Sequence, residues 1–140
     1  MDKIELPIFR VWDSKRKQMI YKCVVEIYSG YTYSGLVVKE LDLEKKIGRV
    51  IDKPILLQYT GLKDKFGFKV YHRDIIFYAD DLEDVQYSKL YVIEWDDQLT
   101  GWYLNPVDNN GYPNIAASLM ARNGKVVGNT YDNPKMGGII

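Results

Sequence analysis

Apolar and polar residues alternate along much of this chain with the period of β-strands. Every second residue from Met19 to Ile27 is apolar or aromatic apart from Cys23, itself a small hydrophobe, and a period of two is typical of a strand with one face in the core. Lys63–Gly67 and Asp96–Thr100 have the composition of turns that join hairpin strands. The predicted strands are 6–12, 19–27, 55–59, 68–70, 75–77, 90–95, 101–104 and 125–128.

Helical patterns are few and short. Residues 41–47 predict at most one helical turn, and residues 115–121 predict a short helix that begins near Asn114 and ends before Gly124. No repeat, linker or low-complexity segment divides the chain. The pattern therefore predicts a mostly β fold, a single compact domain over residues 1–140. We expect antiparallel hairpins that form a partly closed barrel or strongly bent sheet, with at most one or two short helices.

Composition limits the cellular context. Aromatic residues make up 14% of the chain and include 12 tyrosines, which suit pleated sheets and interaction surfaces. Cys23 is the single cysteine, so the chain has no intrachain disulfide, as expected in a reducing compartment. No apolar run approaches the roughly 20 residues of a membrane span. We expect a cytoplasmic protein with no membrane association.

The formal net charge is zero, but the charges are unevenly distributed. Residues 1–70 contain 14 basic and 9 acidic side chains, a balance of +5, and residues 71–140 contain 5 and 10, a balance of −5. The acidic residues concentrate at 80–84 and 94–97. This asymmetry is typical either of two halves that face each other or of a charged partner, and the sequence leaves both open.

Patterns of catalytic and cofactor-binding residues are absent from the sequence. His72 is the single histidine, and Cys23 lies on the apolar face of a predicted strand, where cysteine is usually inert. The glycines Gly61 and Gly67 are spaced one residue too far apart for a phosphate-binding loop. With one cysteine and one histidine, a zinc site is excluded. We therefore predict no catalytic residues, no metal site and no cofactor.

Three basic clusters give an alternative hypothesis of nucleic-acid binding. They lie in residues 15–17, 45–49 and 63–69 and are interleaved with aromatic residues, a combination that small β-barrels use to bind single strands. A net charge of zero argues against this hypothesis. The candidate contacts are Lys15, Arg16, Lys17, Lys45, Lys46, Arg49, Lys63, Lys65 and Lys69.

Three segments carry a resemblance to a known family. They are F-R-V-W-D at 9–13, L-L-Q-Y-T-G-L-K-D-K-F-G-F-K-V-Y at 56–71, and K-V-V-G-N-T-Y-D-N-P at 125–134. In this order they resemble the YopX family of phage and prophage proteins. The chain departs from the family pattern at Phe66 and Phe68, at His72–Arg73, where Glu-Gly is usual, and at Lys135.

The resemblance implies a phage-encoded protein of the bacterial cytoplasm with a predominantly β fold and no assigned activity. It also marks motif residues that we interpret as structural: core aromatics, turn glycines with positive φ, and polar residues at turns. These motif residues are Trp12, Tyr59, Gly61, Gly67, Asp74, Asn129, Asn133 and Pro134. The leading hypothesis is a non-catalytic module that binds an unknown host or phage protein or forms a homo-oligomer.

Overall fold

The computed structural model describes residues 8–30, 35–42, 44, 47–78, 90–107, 115–119 and 123–137. The chain divides into two compact units, Met1–Leu57 and Gln58–Ile140, and each unit is considered by itself. Antiparallel β-strands dominate both units, and one of the sheets forms a half-barrel. The predicted mostly β fold is confirmed, whereas a single domain over residues 1–140 stays a prediction.

The first unit consists of a hairpin and a three-stranded sheet. Its strands are β1 (Phe9–Asp13), β2 (Gln18–Ile20), β3 (Cys23–Tyr28), β4 (Gly35–Asp42) and β5 (Ile47–Val50), and β6 (Pro54–Lys63) runs from this unit into the second. Strands β1 and β2 pair antiparallel, and β3, β4 and β5 form the sheet in chain order. The core of the unit comprises Val11, Ile20, Val38 and Ile51, with Cys23, Val25 and Leu56 packed against them.

The second unit contains a five-stranded antiparallel sheet. Its further elements are β7 (Lys69–Tyr71), β8 (Asp74–Tyr78), β9 (Leu90–Asp96), β10 (Gly101–Pro106), β11 (Ile115–Ala116), a 3₁₀ turn (Ala117–Leu119), β12 (Gly124–Asn129) and α1 (Pro134–Gly137). The strand order in the sheet is β11-β10-β9-β8-β12. Strands β6 and β7, which precede this sheet in the sequence, pair antiparallel with each other. Apolar residues of this sheet form two clusters, one around Ile76, Tyr91 and Leu104 and one around Ile75, Val92 and Val107.

Three sequence-based elements differ from the structure. The strand predicted over 19–27 is interrupted at Tyr21, which is 58% exposed, so β2 and β3 are separate strands. The helical turn predicted over 41–47 is wrong because its two ends lie in strands that pair at Asp42 and Ile47. The helix predicted over 115–121 is wrong in its described part, where the first two residues pair with β10 and leave one 3₁₀ turn. In both cases strand pairing overrides local helix propensity.

Arg73 has a backbone conformation that usually requires glycine. Its φ is +72°, in the left-handed region that costs an L-residue roughly 1–2 kcal/mol. Two side-chain contacts compensate for this cost: Arg73 donates to Thr130 Oγ1 at 3.0 Å and forms an ion pair with Glu94. Arg73 thus adopts a backbone conformation typical of glycine, and its side chain is held by partners on two other segments.

We expect Arg73→Gly and Arg73→Ala to separate backbone strain from side-chain contacts. Both substitutions remove the contacts with Thr130 and Glu94, but only glycine relieves the positive φ, so the alanine variant should be less stable by about 1 kcal/mol. Urea unfolding of the two variants measures this difference directly. An alanine variant as stable as the glycine variant would show that the conformation at this position is not strained.

Candidate functional site

The hairpin end at residues 63–69 is built around a buried carboxylate. Asp64 is 5% exposed, and its Oδ1 accepts hydrogen bonds from the backbone N–H groups of Phe66 and Phe68, each at 2.9 Å. Its Oδ2 accepts from the N–H of Val126 in β12, also at 2.9 Å. Because both oxygens are occupied by donors, the Asp64 side chain fixes the shape of the loop and ties it to β12.

Five exposed side chains surround this anchor and form what we call the basic–aromatic loop: Lys63, Lys65, Phe66, Phe68 and Lys69. The two phenylalanines are 64% and 66% exposed, which is unusual for rings on an ordered turn. The Lys65 ammonium lies 5.1 Å from the centroid of the Phe66 ring, and that of Lys69 lies 5.5 Å from the Tyr59 ring. Lys63 and Lys69 are direct partners across the β6–β7 hairpin. The structure therefore groups these three predicted basic residues.

The basic residues 15–17 lie in the turn between β1 and β2. All three are exposed, and the turn is closed by Asp13, which is 1% exposed and accepts at 3.1 Å from the N–H groups of Lys15 and Arg16. Burial raises the pKa of the Asp13 carboxyl, but these backbone donors and then Arg49 outweigh burial and hold it below its ordinary value. Asp13 is therefore an anionic turn anchor at neutral pH.

The middle basic cluster is reduced by internal ion pairs. Arg49 contacts Glu40 at 2.5 Å and Asp13 at 3.5 Å, so its charge is compensated twice. The hydrogen bond to Glu40 is the main reason that the pKa of the Arg49 guanidinium is raised. Lys45 and Lys46 lie outside the described residues. Arg49 is thus a poor candidate for an external phosphate, although the prediction for the whole cluster stays untested.

A second exposed surface lies at the end of the β3–β4 hairpin. Ile27 and Leu36 are direct cross-strand partners and therefore lie on the same face of the sheet. Ile27 is 78% exposed and Leu36 is 51% exposed. Val25 and Val38, the cross-strand pair two residues along on this face, belong to the core cluster. The apolar row thus continues past the core of the unit, and we call Ile27 and Leu36 the apolar pair.

The motif residues of the family resemblance lie at turns or in the interior. Trp12 is buried, Tyr59 is half-buried, and the ring of Tyr59 lies 5.6 Å from that of Tyr71. Gly61 and Gly67 have φ of +83° and +85°. Asp74 is buried and accepts from the backbone N–H of Tyr71 at 2.7 Å.

The motif residues near the end of the chain form one hydrogen-bonded turn. Asn129 Oδ1 accepts from the N–H groups of Tyr131 and Asp132, and Asn129 donates from its own backbone N–H to Asn133 Oδ1 at 3.2 Å. Pro134 begins α1, where its missing N–H leaves no helical hydrogen bond unmade. These contacts fix the geometry of the turn, and the structural interpretation of the motif residues stays a prediction.

Three properties of the described residues bear on metal binding, thiol reactivity and membrane crossing. They contain no group of three or more His, Cys, Asp and Glu side chains that could hold a metal ion. Burial raises the pKa of the Cys23 thiol, whose Sγ lies 3.8 Å from the carbonyl of Phe9, so the reactive thiolate is disfavoured. No helix in the described ranges is long and apolar enough to cross a membrane.

The fold places the chain among small, mostly β proteins, and buried aspartates anchor two of its turns. The chain belongs to the YopX family, because the family model described as YopX protein matches residues 8–136. The description of the family names no activity. No curated protein is similar enough to this chain to count as a relative.

Two crystal structures share this fold. Protein EF1440 from Enterococcus faecalis aligns with a TM-score of 0.57 and 20% identity, over 94% of this chain and 98% of that one. Protein yopX from Bacillus subtilis aligns with a TM-score of 0.58 and 19% identity, over 91% of this chain and 95% of the other. At these identities the likeness establishes the fold alone.

Sequence reasoning missed the two buried aspartates that organise the turns. Asp13 and Asp64 each lie at the start of a polar turn, where aspartate commonly accepts hydrogen bonds from the backbone two residues ahead. An aspartate at the start of a polar turn is a signal that the sequence itself contains, so both anchors could have been predicted. The apolar pair was also missed, since strict alternation placed Ile27 on a core face.

Proposed function

We propose that this protein is a non-catalytic interaction module and that it binds another protein chain through the apolar end of its first-unit sheet. The single observation that supports this proposal is the exposure of Ile27 and Leu36, 78% and 51%, as neighbours on one face of an ordered sheet. Exposed apolar side chains are ordinary when scattered, but contiguous ones mark interaction surfaces.

The opposite face of the same sheet has further exposed apolar residues. Val50 is 58% exposed and Leu41 is 38% exposed, and Val50 pairs with Lys39 across β4 and β5. Apolar groups therefore face solvent on both sides of a three-stranded sheet, although an antiparallel sheet commonly has one polar face. Covering either side with another chain would remove apolar surface from water, the main favourable contribution to most protein–protein association.

The four described charged side chains of this sheet form two ion pairs within it. Lys39 contacts Glu26 at 3.1 Å, and Arg49 contacts Glu40 at 2.5 Å. Tyr28 also donates to Glu26, which is the main reason that the pKa of Glu26 is lowered. Since these charges are already compensated, we infer that the partner surface is apolar and needs no net charge of its own. A second copy of this chain would not be repelled.

The test uses a paired substitution, Ile27→Thr with Leu36→Thr, which removes apolar surface and keeps residues suited to strands. We expect purified wild-type protein either to self-associate in sedimentation velocity or to capture a specific protein from a bacterial extract. The double variant should lose that association by at least about tenfold in affinity. Complexes identified by capture are then reassembled from purified components and measured by calorimetry.

The matched control is Phe66→Thr with Phe68→Thr, which removes two equally exposed apolar residues from the second unit. This control should keep the association. The proposal fails if wild-type and Ile27/Leu36 variant proteins are both monomeric and capture the same proteins in the same amounts. It also fails if the Phe66/Phe68 control variant loses the complex while the Ile27/Leu36 variant keeps it.

A further inference from the structure

We propose that the basic–aromatic loop, residues 63–69, is a binding site for single-stranded nucleic acid. This proposal is independent of the protein-binding surface, because all its residues lie in the second unit. Single-strand binding needs cations that follow the phosphates and exposed aromatic faces on which bases stack. The loop supplies both kinds of group on one rigid turn.

The positive charge of the loop is available to an external anion. Among the described residues, no carboxylate forms an ion pair with Lys63, Lys65 or Lys69. The one acid in the segment, Asp64, is buried and has both oxygens occupied by backbone donors. The loop therefore differs from Arg49, whose charge is compensated by two carboxylates.

The aromatic rings of the loop are accessible and already close to the cations. Phe66 and Phe68 are 64% and 66% exposed, and the Lys65 ammonium lies 5.1 Å from the Phe66 centroid. Every residue of the loop lies within three positions of Lys63 or Lys69, which are paired, so its Cα is at most about 11 Å from that pair. Base stacking on a ring and phosphate contact with a lysine can thus occur within the same few nucleotides.

Basic and aromatic groups continue along the hairpin away from its tip. Lys69 lies over the Tyr59 ring, and Tyr59 precedes Lys63 in β6 by four residues, roughly 13 Å of strand. On the other side, Lys125 is exposed beside Val126, whose N–H binds Asp64. The basic and aromatic groups thus extend along the hairpin and are not confined to its tip. This arrangement fits an extended polyanion better than a membrane surface, which would contact only the end of the loop.

Binding is preorganised because the loop has a fixed shape before any ligand arrives. Besides its side-chain contacts, the backbone N–H of Asp64 donates to the carbonyl of Phe68, and its carbonyl accepts from the N–H of Gly67. The N–H of Lys65 donates to the carbonyl of Gly124 at 3.0 Å. Gly67 provides the positive φ, +85°, that the turn requires. A ligand therefore does not have to order the loop, which lowers the entropy cost of association.

The experiment measures fluorescence anisotropy of a labelled oligothymidine of about 20 nucleotides at several salt concentrations, starting near 50 mM. Three phosphate contacts predict a log–log slope of about −2 for wild-type protein. Lys63→Gln, Lys65→Gln and Lys69→Gln together should bring the slope close to zero. Phe66→Ala with Phe68→Ala should weaken binding at least about tenfold while the slope is unchanged.

The control is the triple variant Lys15→Gln, Arg16→Gln and Lys17→Gln, which removes the same charge from the first unit and should change neither affinity nor slope. All substituted side chains are exposed, and circular dichroism confirms that each variant is folded. Absence of oligonucleotide binding by the wild-type protein near 50 mM salt overturns the proposal. Binding that depends on residues 15–17 overturns it, and so does loop-dependent binding to phosphatidylserine vesicles without oligonucleotide binding.

Discussion

Asp64→Ala is expected to lower the free energy of unfolding by about 3 kcal/mol or more. The substitution removes the acceptor of three backbone N–H groups, those of Phe66, Phe68 and Val126, and a buried unsatisfied donor costs about 1–3 kcal/mol. Some of these N–H groups will reach water after the loop rearranges, so the expected loss of stability is less than the summed cost of three buried, unsatisfied donors. Urea unfolding followed by circular dichroism measures the change.

Asp64→Asn distinguishes the acceptor geometry from the size of the side chain. Its single carbonyl oxygen can still accept from Phe66 and Phe68, but its amide would face the N–H of Val126 in place of a carboxylate oxygen. We expect a loss of stability between those of the wild type and Asp64→Ala. The control is Asp97→Ala, an exposed aspartate of the same unit. Equal stability of Asp64→Ala and Asp97→Ala would contradict the role of Asp64 as an anchor.

Asp13→Asn is expected to destabilise the first unit at neutral pH, by about 2 kcal/mol, and to do so less at acid pH. The carboxylate accepts from Lys15 and Arg16 and contacts Arg49, and an asparagine amide would face that guanidinium with donors. These contacts lower the pKa of Asp13 in the folded protein below its value in the unfolded chain. At pH values between the folded and the unfolded pKa of Asp13, the unfolded chain therefore binds more protons than the folded protein. Stability consequently rises with pH in that range.

The stabilisation by Asp13 is fully present above the unfolded pKa, about 3.9, and is lost as the pH falls through the lower pKa of the folded state. The difference between wild type and Asp13→Asn should therefore narrow as the pH is reduced below about 4. Urea unfolding at a series of pH values measures it. As a control, Asp52→Asn, at an exposed position in the same unit, should leave the stability at neutral pH close to that of the wild type. A difference that is constant from pH 7 to pH 3 would refute this account.

Local sequence signals were sufficient where neighbours in the chain determine the structure. The hairpin of β9 and β10 was predicted because an apolar run, a polar turn and a second apolar run follow one another, and Asp96 accepts from Gln98 and Leu99 within that turn. The helix at 115–121 was wrong because its first residues pair with Leu104 and Tyr103, and the sequence around them does not reveal that pairing.

The candidate surfaces depended on contacts between distant residues. Alternation placed Ile27 on the same face as Val25, but it could not show that the core ends between them. The basic clusters at 45–49 and 63–69 look alike in the sequence. They differ because β5 pairs Arg49 with Glu40, whereas Asp64 is bound by Val126, a residue 62 positions away. Charge in a sequence therefore predicts a candidate site only after its partners are known.

Backbone hydrogen exchange of the protein alone and in its complex tests the proposed protein-binding surface most directly. Exchange reports protection strand by strand, so it locates the covered surface without any substitution. We predict that complex formation adds protection in β3 and β4, Cys23–Tyr28 and Gly35–Asp42, and leaves the loop at residues 63–69 unchanged. A complex that protects other segments and leaves β3 and β4 exchanging as in the free protein would contradict the proposed function.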